Sequence, residues 1–271
     1  MSLAAVPSAI PIADAADSRL DDFRDLMQAD ATPERRPVLI AEGVNVVERL
    51  VRSPYRVRAI AGVASKLEAL SPVLERLDAP VYLLDKWTLS DVVGFRVTRG
   101  VVATADRPEP STAASVLARG SRFVVLETIN DLENLGSIFR NAAAFGVDGV
   151  LLNAQCADPL YRRSLRVSMG HVFGLPFAVL PDPWPESLAL LAKAGVKTIA
   201  LTPRASAPPI TEIRPPDKWA ILLGAEGPGL TEASLVQTDL IARIPMADGV
   251  DSLNVATAGA VALAQLVAES R

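Results

Sequence analysis

The sequence predicts an α/β protein of two domains, the second built on a parallel sheet with helices on both faces. Three observations support this prediction. Short apolar runs alternate with amphipathic stretches along the chain, as they do in β-α units. The later runs V-V-L, V-L-L, I-A-L and I-L-L are apolar on both faces, which is typical of strands covered on two sides. A stretch of prolines and small polar residues at 108–120 separates the two patterns.

The first domain is predicted over residues 1–107. Its first 19 residues show no clear period and are interpreted as a loose tail. The periodicity predicts strands at 38–41, 56–63, 80–84 and 100–105, and helices at 20–29, 42–52, 65–77 (broken near Pro72) and 86–93. This alternation predicts a small, partly parallel sheet packed against helices.

The second domain is predicted over residues 121–271, after a linker at 108–120. Its strands are expected at 123–127, 149–152, 176–180, 197–202, 219–224 and 240–245. Its helices are expected at 134–145, 164–173, 187–194 and 253–269. No internal repeat is visible.

Composition limits the chemistry. The single cysteine, Cys156, excludes an internal disulfide, fits a reducing cytoplasm and is interpreted as inert. The single histidine, His171, argues against a multi-histidine metal centre, so no metal is predicted and His171 is assigned a structural role. The longest apolar stretch, 255–264, is too short to span a bilayer, so no membrane partner is expected.

The net charge of −4 argues mildly against nucleic-acid binding. The identity of the basic residues weakens that argument, because only five of the 27 are lysines. The arginines cluster within 49–58, 96–99 and 162–166. Arginine suits bidentate phosphate contacts, although a solvated face explains any single cluster at least as well.

The segment D-L-E-N-L-G-S-I-F-R-N-A at 131–142 places two polar residues on an otherwise small and apolar helix. Asn134 is a candidate helix cap, and Arg140 is a candidate surface arginine. Gly136 would then lie in the first helical turn, where glycine is unfavourable unless something packs closely. Taken alone, this segment favours a structural interpretation.

The segment L-L-G-A-E-G-P-G-L at 222–230 places Gly224, Gly227 and Gly229 directly after an apolar strand. Glycine allows the backbone to approach a ligand closely, and ligands of open parallel sheets bind at the carboxyl ends of the strands. The segment lacks the G-K-[ST] of a phosphate loop and lies too late in the chain for a dinucleotide fingerprint. Glu226 would be exposed to whatever binds, or would be a solvated residue of a plain turn.

The segment 244–263 runs from a strand end through a loop into a helix of small apolar residues. Ser252 is a candidate cap for that helix, and Asn254 lies close to its start. A helix so rich in alanine and glycine packs tightly, so its polar beginning is expected to face a site or an interface.

In order and spacing, these segments resemble the three signature motifs of the SpoU (TrmH-type) RNA ribose 2′-O-methyltransferases of the SPOUT superfamily. The motifs appear as N-L-G-S-I-F-R, L-G-A-E-G-P-G-L and I-P-M-A-D-G-V-D-S-L-N-V-A. The resemblance covers about 120–271. The chain departs from the family pattern at Leu132, where proline is usual, and at Ala256 and Thr257. Less specifically, the first hundred residues resemble the ribosomal-protein-like RNA-binding domain fused to many members.

The resemblance implies a parallel sheet with helices on both faces and a C-terminal segment threaded into a trefoil knot. It implies S-adenosyl-L-methionine bound in that knot, held mainly by backbone groups of the loops at 201–203, 223–229 and 244–253. The cofactor-binding residues carried over are Leu201, Thr202, Leu223, Gly224, Gly227, Gly229, Ile244, Met246 and Leu253.

The resemblance also implies methyl transfer to a ribose 2′-hydroxyl of RNA. Arg140 matches the family's essential arginine, and Asn134, Glu226, Ser252 and Asn254 match its other polar site residues. Because a guanidinium is a permanent donor, orientation and phosphate binding are the safer role for Arg140. Family members are homodimers with the site completed near the interface, so a homodimer through the catalytic domain is implied.

Three classes of function remain open from the sequence. The favoured one is a methyltransferase acting on rRNA, with tRNA as the other substrate class and an antibiotic-resistance enzyme as a special case. The second is a catalytically silent RNA-binding or ribosome-assembly protein of the same fold. The third, a nucleotide-dependent oxidoreductase, is disfavoured by the missing dinucleotide fingerprint.

Overall fold

The structure is a computed structural model that describes residues 9–24, 26 and 38–269. The chain divides into two compact units, one of residues 1–109 with 160–174 and one of residues 110–159 with 175–271. The domain boundaries expected from the sequence differ from this division at one segment. Residues 160–174, which the sequence assigns to the second domain, belong to the first unit.

The first unit contains a five-stranded mixed sheet. Its strands are β1 (Ile10–Pro11), β2 (Val38–Glu42), β3 (Val57–Gly62), β4 (Val81–Leu83) and β5 (Val101–Asp106). The order across the sheet is β1-β4-β3-β5-β2, in which β5 runs antiparallel to both of its neighbours. The partly parallel sheet expected from the sequence is therefore present. The predicted loose tail is wrong where Ile10 and Pro11 pair with Tyr82 and Leu83 of β4.

Three helices follow strands of this sheet: α1 (Val44–Val51), α2 (Ala64–Leu74) and α3 (Lys86–Val93). The predicted break near Pro72 is wrong, because Pro72 lies inside α2. Pro72 lacks the N–H group that would pair with the Glu68 carbonyl, and only the last two residues of the helix follow it, so the cost falls near the end of the helix. The predicted helix 20–29 is described only in part, as a 3₁₀ helix at Ser18–Phe23; its later residues lie mostly outside the described residues.

Residues 160–174 add a further helix, α6 (Arg162–Val167), to the first unit. The Arg162 Nη1 atom lies 3.3 Å from Oε2 of the buried Glu42, and the Arg49 Nη1 atom donates to the Met169 carbonyl at 2.7 Å. The single helix predicted at 164–173 is wrong. Gly170 adopts a φ of 80°, which ends the helical run before a 3₁₀ turn at His171–Phe173.

The second unit contains a six-stranded sheet in which every pairing is parallel. Its strands are β6 (Arg122–Glu127), β7 (Gly149–Leu152), β8 (Phe177–Val179), β9 (Lys197–Leu201), β10 (Trp219–Gly224) and β11 (Leu240–Ala242). Their order is β11-β9-β10-β6-β7-β8. The direction of strand succession changes between β6 and β10, which places a topological switch at the carboxyl ends of the central strands.

The helices of the second unit are α4 (Ala113–Leu117), α5 (Leu132–Ala144), α7 (Ala189–Lys193), α8 (Glu232–Gln237) and α9 (Val255–Glu269). The sequence analysis missed α4 and α8. Helix α4 lies in the predicted linker 108–120, and its buried Val116 and Leu117 join the hydrophobic core of this unit. Helix α9 packs along α5. Within the described ranges, no helix has both the length and the hydropathy needed to cross a membrane.

Candidate active site

A pocket of about 370 Å³ lies in the second unit at the carboxyl ends of β9 and β10. Three loops form it, after β9, after β10 and after β11, and the start of α9 closes it. Parallel strands bring these loops to one edge of the sheet, where ligands of this architecture bind. The lining residues are Leu201, Thr202, Pro203, Leu223, Gly224, Ala225, Glu226, Gly227, Gly229, Ile244, Met246, Ser252, Leu253, Asn254, Val255 and Ala258.

The loop after β10 folds back on itself and brings backbone to the pocket wall. The Gly229 N–H donates to the Ala225 carbonyl at 3.0 Å, and Gly227 and Gly229 adopt φ angles of 86° and 70°. A Cβ atom on Gly224 would lie 2.3 Å from both the Gly229 carbonyl carbon and the Leu230 nitrogen. Gly224 is therefore required by a close backbone crossing, and a side chain there would open the loop.

Asn254 connects the three sequence motifs. Its Nδ2 group donates to Asn134 Oδ1 at 2.7 Å and to Glu226 Oε1 at 2.8 Å. Its Oδ1 atom accepts from the N–H groups of Ala256 and Thr257, which caps α9. One amide side chain thus uses both its donors and its acceptor to fix the beginning of α9 beside the glycine loop.

The cap assignments made from the sequence are wrong at two helices. Asp131 caps α5, because its Oδ1 accepts from the N–H groups of Glu133 and Asn134. Asn134 therefore lies inside the helix, buried, with its side chain free to meet Asn254. At α9 the cap is Asn254, and Ser252 lies two residues before it in the exposed loop.

A second asparagine strengthens the contact between α5 and α9. Asn141 follows Asn134 by seven residues, which returns to the same helical face. Its Nδ2 group donates to the Ala256 carbonyl at 2.9 Å. One turn further along α9, a Cβ atom on Gly259 would approach Leu223 to 2.9 Å. Sequence reasoning missed Asn141, although its spacing from Asn134 was the available signal.

Arg140 lies apart from the pocket. It is exposed on α5 and is absent from the residues that line the pocket. Among the residues that the structure describes, no hydrogen bond or ion pair holds its guanidinium. Three of the five predicted polar residues line the pocket, namely Glu226, Ser252 and Asn254. Asn134 contacts Asn254. Arg140 is exposed and has no partner among the described residues.

All nine residues expected to hold a cofactor line this one pocket. Their side chains are mostly apolar, with Thr202 as a buried polar exception. The lining residues that were not predicted are Pro203, Ala225 and Val255, which are chain neighbours of predicted ones, and Ala258, which lies one helical turn after Asn254. The described part of the chain holds no group of three or more histidine, cysteine or acidic residues that could bind a metal.

Asn254 offers a test of this connection. We expect Asn254→Ala to lower the free energy of unfolding by about 1–2 kcal/mol, since it removes a cap and two further hydrogen bonds. Asn254→Asp is the matched control: it keeps the acceptor that caps α9 but replaces the donor that faces Glu226. Urea unfolding should show that Asn254→Asp keeps the stability provided by the cap of α9. The affinity of the pocket for its ligand should fall in both variants. An unchanged unfolding curve for Asn254→Ala would contradict the role.

Cys156 is partly buried beside the carboxyl end of β6. Its Sγ lies 3.3 Å from the Leu126 carbonyl oxygen, and burial raises the pKa of the thiol to about 11. Because the thiolate is the reactive species, we expect Cys156 in the native protein to resist alkylation by iodoacetamide at neutral pH. The denatured protein should react readily. Fast labelling of the native protein, measured by mass spectrometry, would contradict this assignment.

The sequence model of the SpoU rRNA Methylase family matches residues 121–264, which contain this pocket. The chain is 46% identical over 258 residues to a tRNA/rRNA methyltransferase of Mycobacterium tuberculosis, covering 93% of this chain and 89% of that protein. It is 29% identical over 250 residues to the 23S rRNA (guanosine(2553)-2′-O)-methyltransferase RlmP of Bacillus subtilis, covering 92% and 96% of the two chains.

Solved structures share the fold. An AdoMet-bound rRNA methyltransferase from Sinorhizobium meliloti aligns with a TM-score of 0.79 and 24% identity, covering 96% of this chain and 97% of that one. The SpoU methyltransferase AviRb from Streptomyces viridochromogenes, in complex with AdoMet, aligns with a TM-score of 0.79 and 21% identity, covering 93% and 98%. The chain therefore belongs to the SpoU rRNA methylase family and is an RNA methyltransferase of that family.

Proposed function

We propose that this protein transfers a methyl group from S-adenosylmethionine to a ribose 2′-hydroxyl of RNA, with rRNA favoured over tRNA. The observation that carries the proposal is the polar connection of Asn134, Glu226 and Asn254 at the edge of a glycine-walled pocket. The Bacillus subtilis relative, whose name specifies 2′-O methylation of 23S rRNA, supports the ribose and the rRNA assignments.

The pocket fits the proposed methyl donor. Its volume of about 370 Å³ falls within the range of about 300–1,000 Å³ typical of small-molecule sites. Leu223, Ile244 and Leu253 supply apolar surface for an adenine ring, and the backbone of Gly224 to Gly229 supplies polar groups without side-chain bulk. Two proteins of this fold carry AdoMet in their crystal structures. We assign these residues, with Leu201, Thr202 and Met246, to donor binding.

The bound donor supplies an electrophilic methyl group on a positively charged sulfur. The protein has to place a neutral hydroxyl in line with it and assist the loss of its proton. Arg140 is a permanent cation with five N–H donors and no internal partner among the described residues. We assign it to binding an RNA phosphate and orienting the ribose.

The other polar residues are assigned to holding and shaping the site. Asn134 and Glu226 fix Asn254 from two sides, which positions the loop that leads into α9. Ser252 lines the pocket and is exposed, and we assign it, with Asn254, to shaping the methyl-transfer pocket. The sequence resemblance supports a trefoil-knotted path for the C-terminal segment, and we include the knot in the proposal.

We further propose a homodimer through residues 121–271, in which the partner's Arg140 completes each site. Arg140 lies outside the pocket of its own chain, which supports this arrangement. Mixing inactive Arg140→Ala and Gly224→Ala proteins should restore about a quarter of wild-type methyl transfer, because half of the random dimers hold one intact composite site. Dimers that exchange subunits but stay inactive would contradict a shared site. Sedimentation of the wild-type protein measures whether it forms a dimer.

Calorimetric titration with S-adenosylmethionine, its demethylated product and NAD tests the assignment of the pocket. We expect both sulfur compounds to bind at one site per chain and NAD to give no heat. Binding of neither sulfur compound would favour a catalytically silent RNA-binding protein. Binding of NAD alone would favour an oxidoreductase.

A further inference from the structure

A tryptophan of the first unit is exposed where α3 begins. Trp87 exposes 82% of its surface, whereas Trp219 is buried and Trp184 is partly buried. An indole in water contributes nothing to the core of its own unit, so the fold does not explain this residue. Trp87 instead offers a flat aromatic face to a partner.

The basic residues of this unit fall into two groups. Arg52, Arg56 and Arg58 are paired with carboxylates. Other cations of this unit have no ion-pair partner among the residues described by the structure, and Lys66, Lys86, Arg96 and Arg99 are among them. The arginine cluster at 49–58 is thus largely neutralised by its own unit, and the unpaired positive charge lies elsewhere.

Three of these cations, Lys66, Lys86 and Arg96, border two adjoining surface hollows. Lys66, Lys86 and Gly100 line the first, and Lys86, Trp87 and Arg96 line the second, each with a volume of about 530 Å³. Lys86 is common to both, so the two hollows form one strip with Trp87 on it. This Trp87 strip is defined by Lys66, Lys86, Trp87 and Arg96.

Two acidic residues also lie at the strip. The Asp85 carboxylate accepts from the N–H groups of Trp87 and Thr88 at 2.7 and 3.1 Å, so it is occupied in capping α3. That contact also fixes the backbone of Trp87 in the first helical turn. Asp91 lines the second hollow and is exposed. The three cations of the strip therefore outnumber Asp91, which is the carboxylate there that does not cap a helix.

We propose that the Trp87 strip binds an unpaired nucleotide of the RNA substrate. A base stacks on the Trp87 indole, while Lys86 and Arg96 bind the phosphates on either side and Lys66 extends the contact along the strand. An aromatic platform flanked by cations is the combination that binds single-stranded nucleic acid. A strip of unpaired positive charge on a chain of net charge −4 complements a polyanion. The inference rests on the proposed function, because it assumes an RNA substrate.

The test uses the full-length protein, a labelled single-stranded oligouridine and fluorescence anisotropy. We expect Trp87→Ala to weaken binding about 5- to 100-fold and Trp87→Phe to restore most of it, since stacking needs only an aromatic face. The double variant Lys86→Gln/Arg96→Gln should lower the slope of log affinity against log salt by about 1.4. Val236→Ala is the matched control, because Val236 is 81% exposed in the second unit.

The outcomes separate this inference from the function on which it rests. With total RNA as substrate, Trp87→Ala should raise the KM for RNA and leave S-adenosylmethionine affinity unchanged. Wild-type affinity for oligouridine in Trp87→Ala would overturn the inference, whether or not methyl transfer is observed. Loss of self-association in Trp87→Ala with RNA affinity retained would also overturn it, in favour of a protein contact. Stacking on Trp87 in a protein that transfers no methyl group would uphold the strip and refute the proposed function.

Discussion

Replacing Arg140 with alanine is expected to abolish methyl transfer while the affinity for S-adenosylmethionine stays within about twofold of wild type. Removing one preorganised donor from a reaction site typically lowers turnover about 100- to 1,000-fold. Arg140 is exposed and lies outside the pocket, so its loss should leave the donor-binding surface and the fold intact. Single-turnover methylation of RNA and calorimetric donor binding measure the two effects separately.

Two further variants sharpen this result. Arg140→Lys keeps the charge but loses the planar fork of donors, so partial activity is expected. Arg119→Ala removes another exposed arginine of the same unit and should behave as wild type. Full activity in Arg140→Ala would remove this residue from the mechanism. An equal loss of donor affinity and turnover would show that Arg140 supports the fold of the pocket instead.

Replacing Gly224 with alanine is expected to lower the affinity for S-adenosylmethionine about 5- to 150-fold. The new Cβ atom would lie 2.3 Å from backbone atoms of Gly229 and Leu230, and backbone cannot move aside as the end of a side chain can. Such overpacking costs about 1–3 kcal/mol or more. The loop after β10 must therefore shift, and the pocket wall that it forms shifts with it.

The control for this variant is Gly174→Ala. Gly174 has an ordinary φ of −105°, and no atom lies within 4 Å of the position of an added Cβ. Calorimetry and thermal unfolding of both variants distinguish a local effect from a general one. Donor affinity retained in Gly224→Ala would show that the loop does not form the binding surface.

The parallel sheet could be predicted because it depends on local pattern, whereas the residues that line the pocket were carried over from the family resemblance. Runs such as W-A-I-L-L-G followed by glycines indicate a buried strand with an open loop at its end. Parallel topology then brings such loops to one edge. The identity of the motifs came from family resemblance, since spacing alone left the glycine segment at 222–230 compatible with a plain turn.

The helix caps were assigned wrongly because each helix start has more than one residue of a capping type close by. Asp131 and Asn134 both precede apolar helical residues, and so do Ser252 and Asn254. The choice depends on tertiary contact. Asn134 is more favourable inside α5, where its side chain accepts a hydrogen bond from Asn254 of the third motif.

The placement of residues 160–174 was missed for a related reason. Their periodicity indicates a helix but carries no information about which sheet the helix packs against. The buried Glu42 and its partner Arg162 are 120 residues apart, a separation that local pattern does not encode. Short helices such as α4 and α8 were missed because five or six residues give too little periodicity to detect.

The most direct test of the account is nucleoside mass spectrometry of RNA incubated with the purified protein and S-adenosylmethionine carrying a deuterated methyl group. The account predicts label in one 2′-O-methylated nucleoside, located on the ribose fragment after base loss, and no label with Arg140→Ala. Label on a base fragment, or the same ribose label with Arg140→Ala, would contradict it.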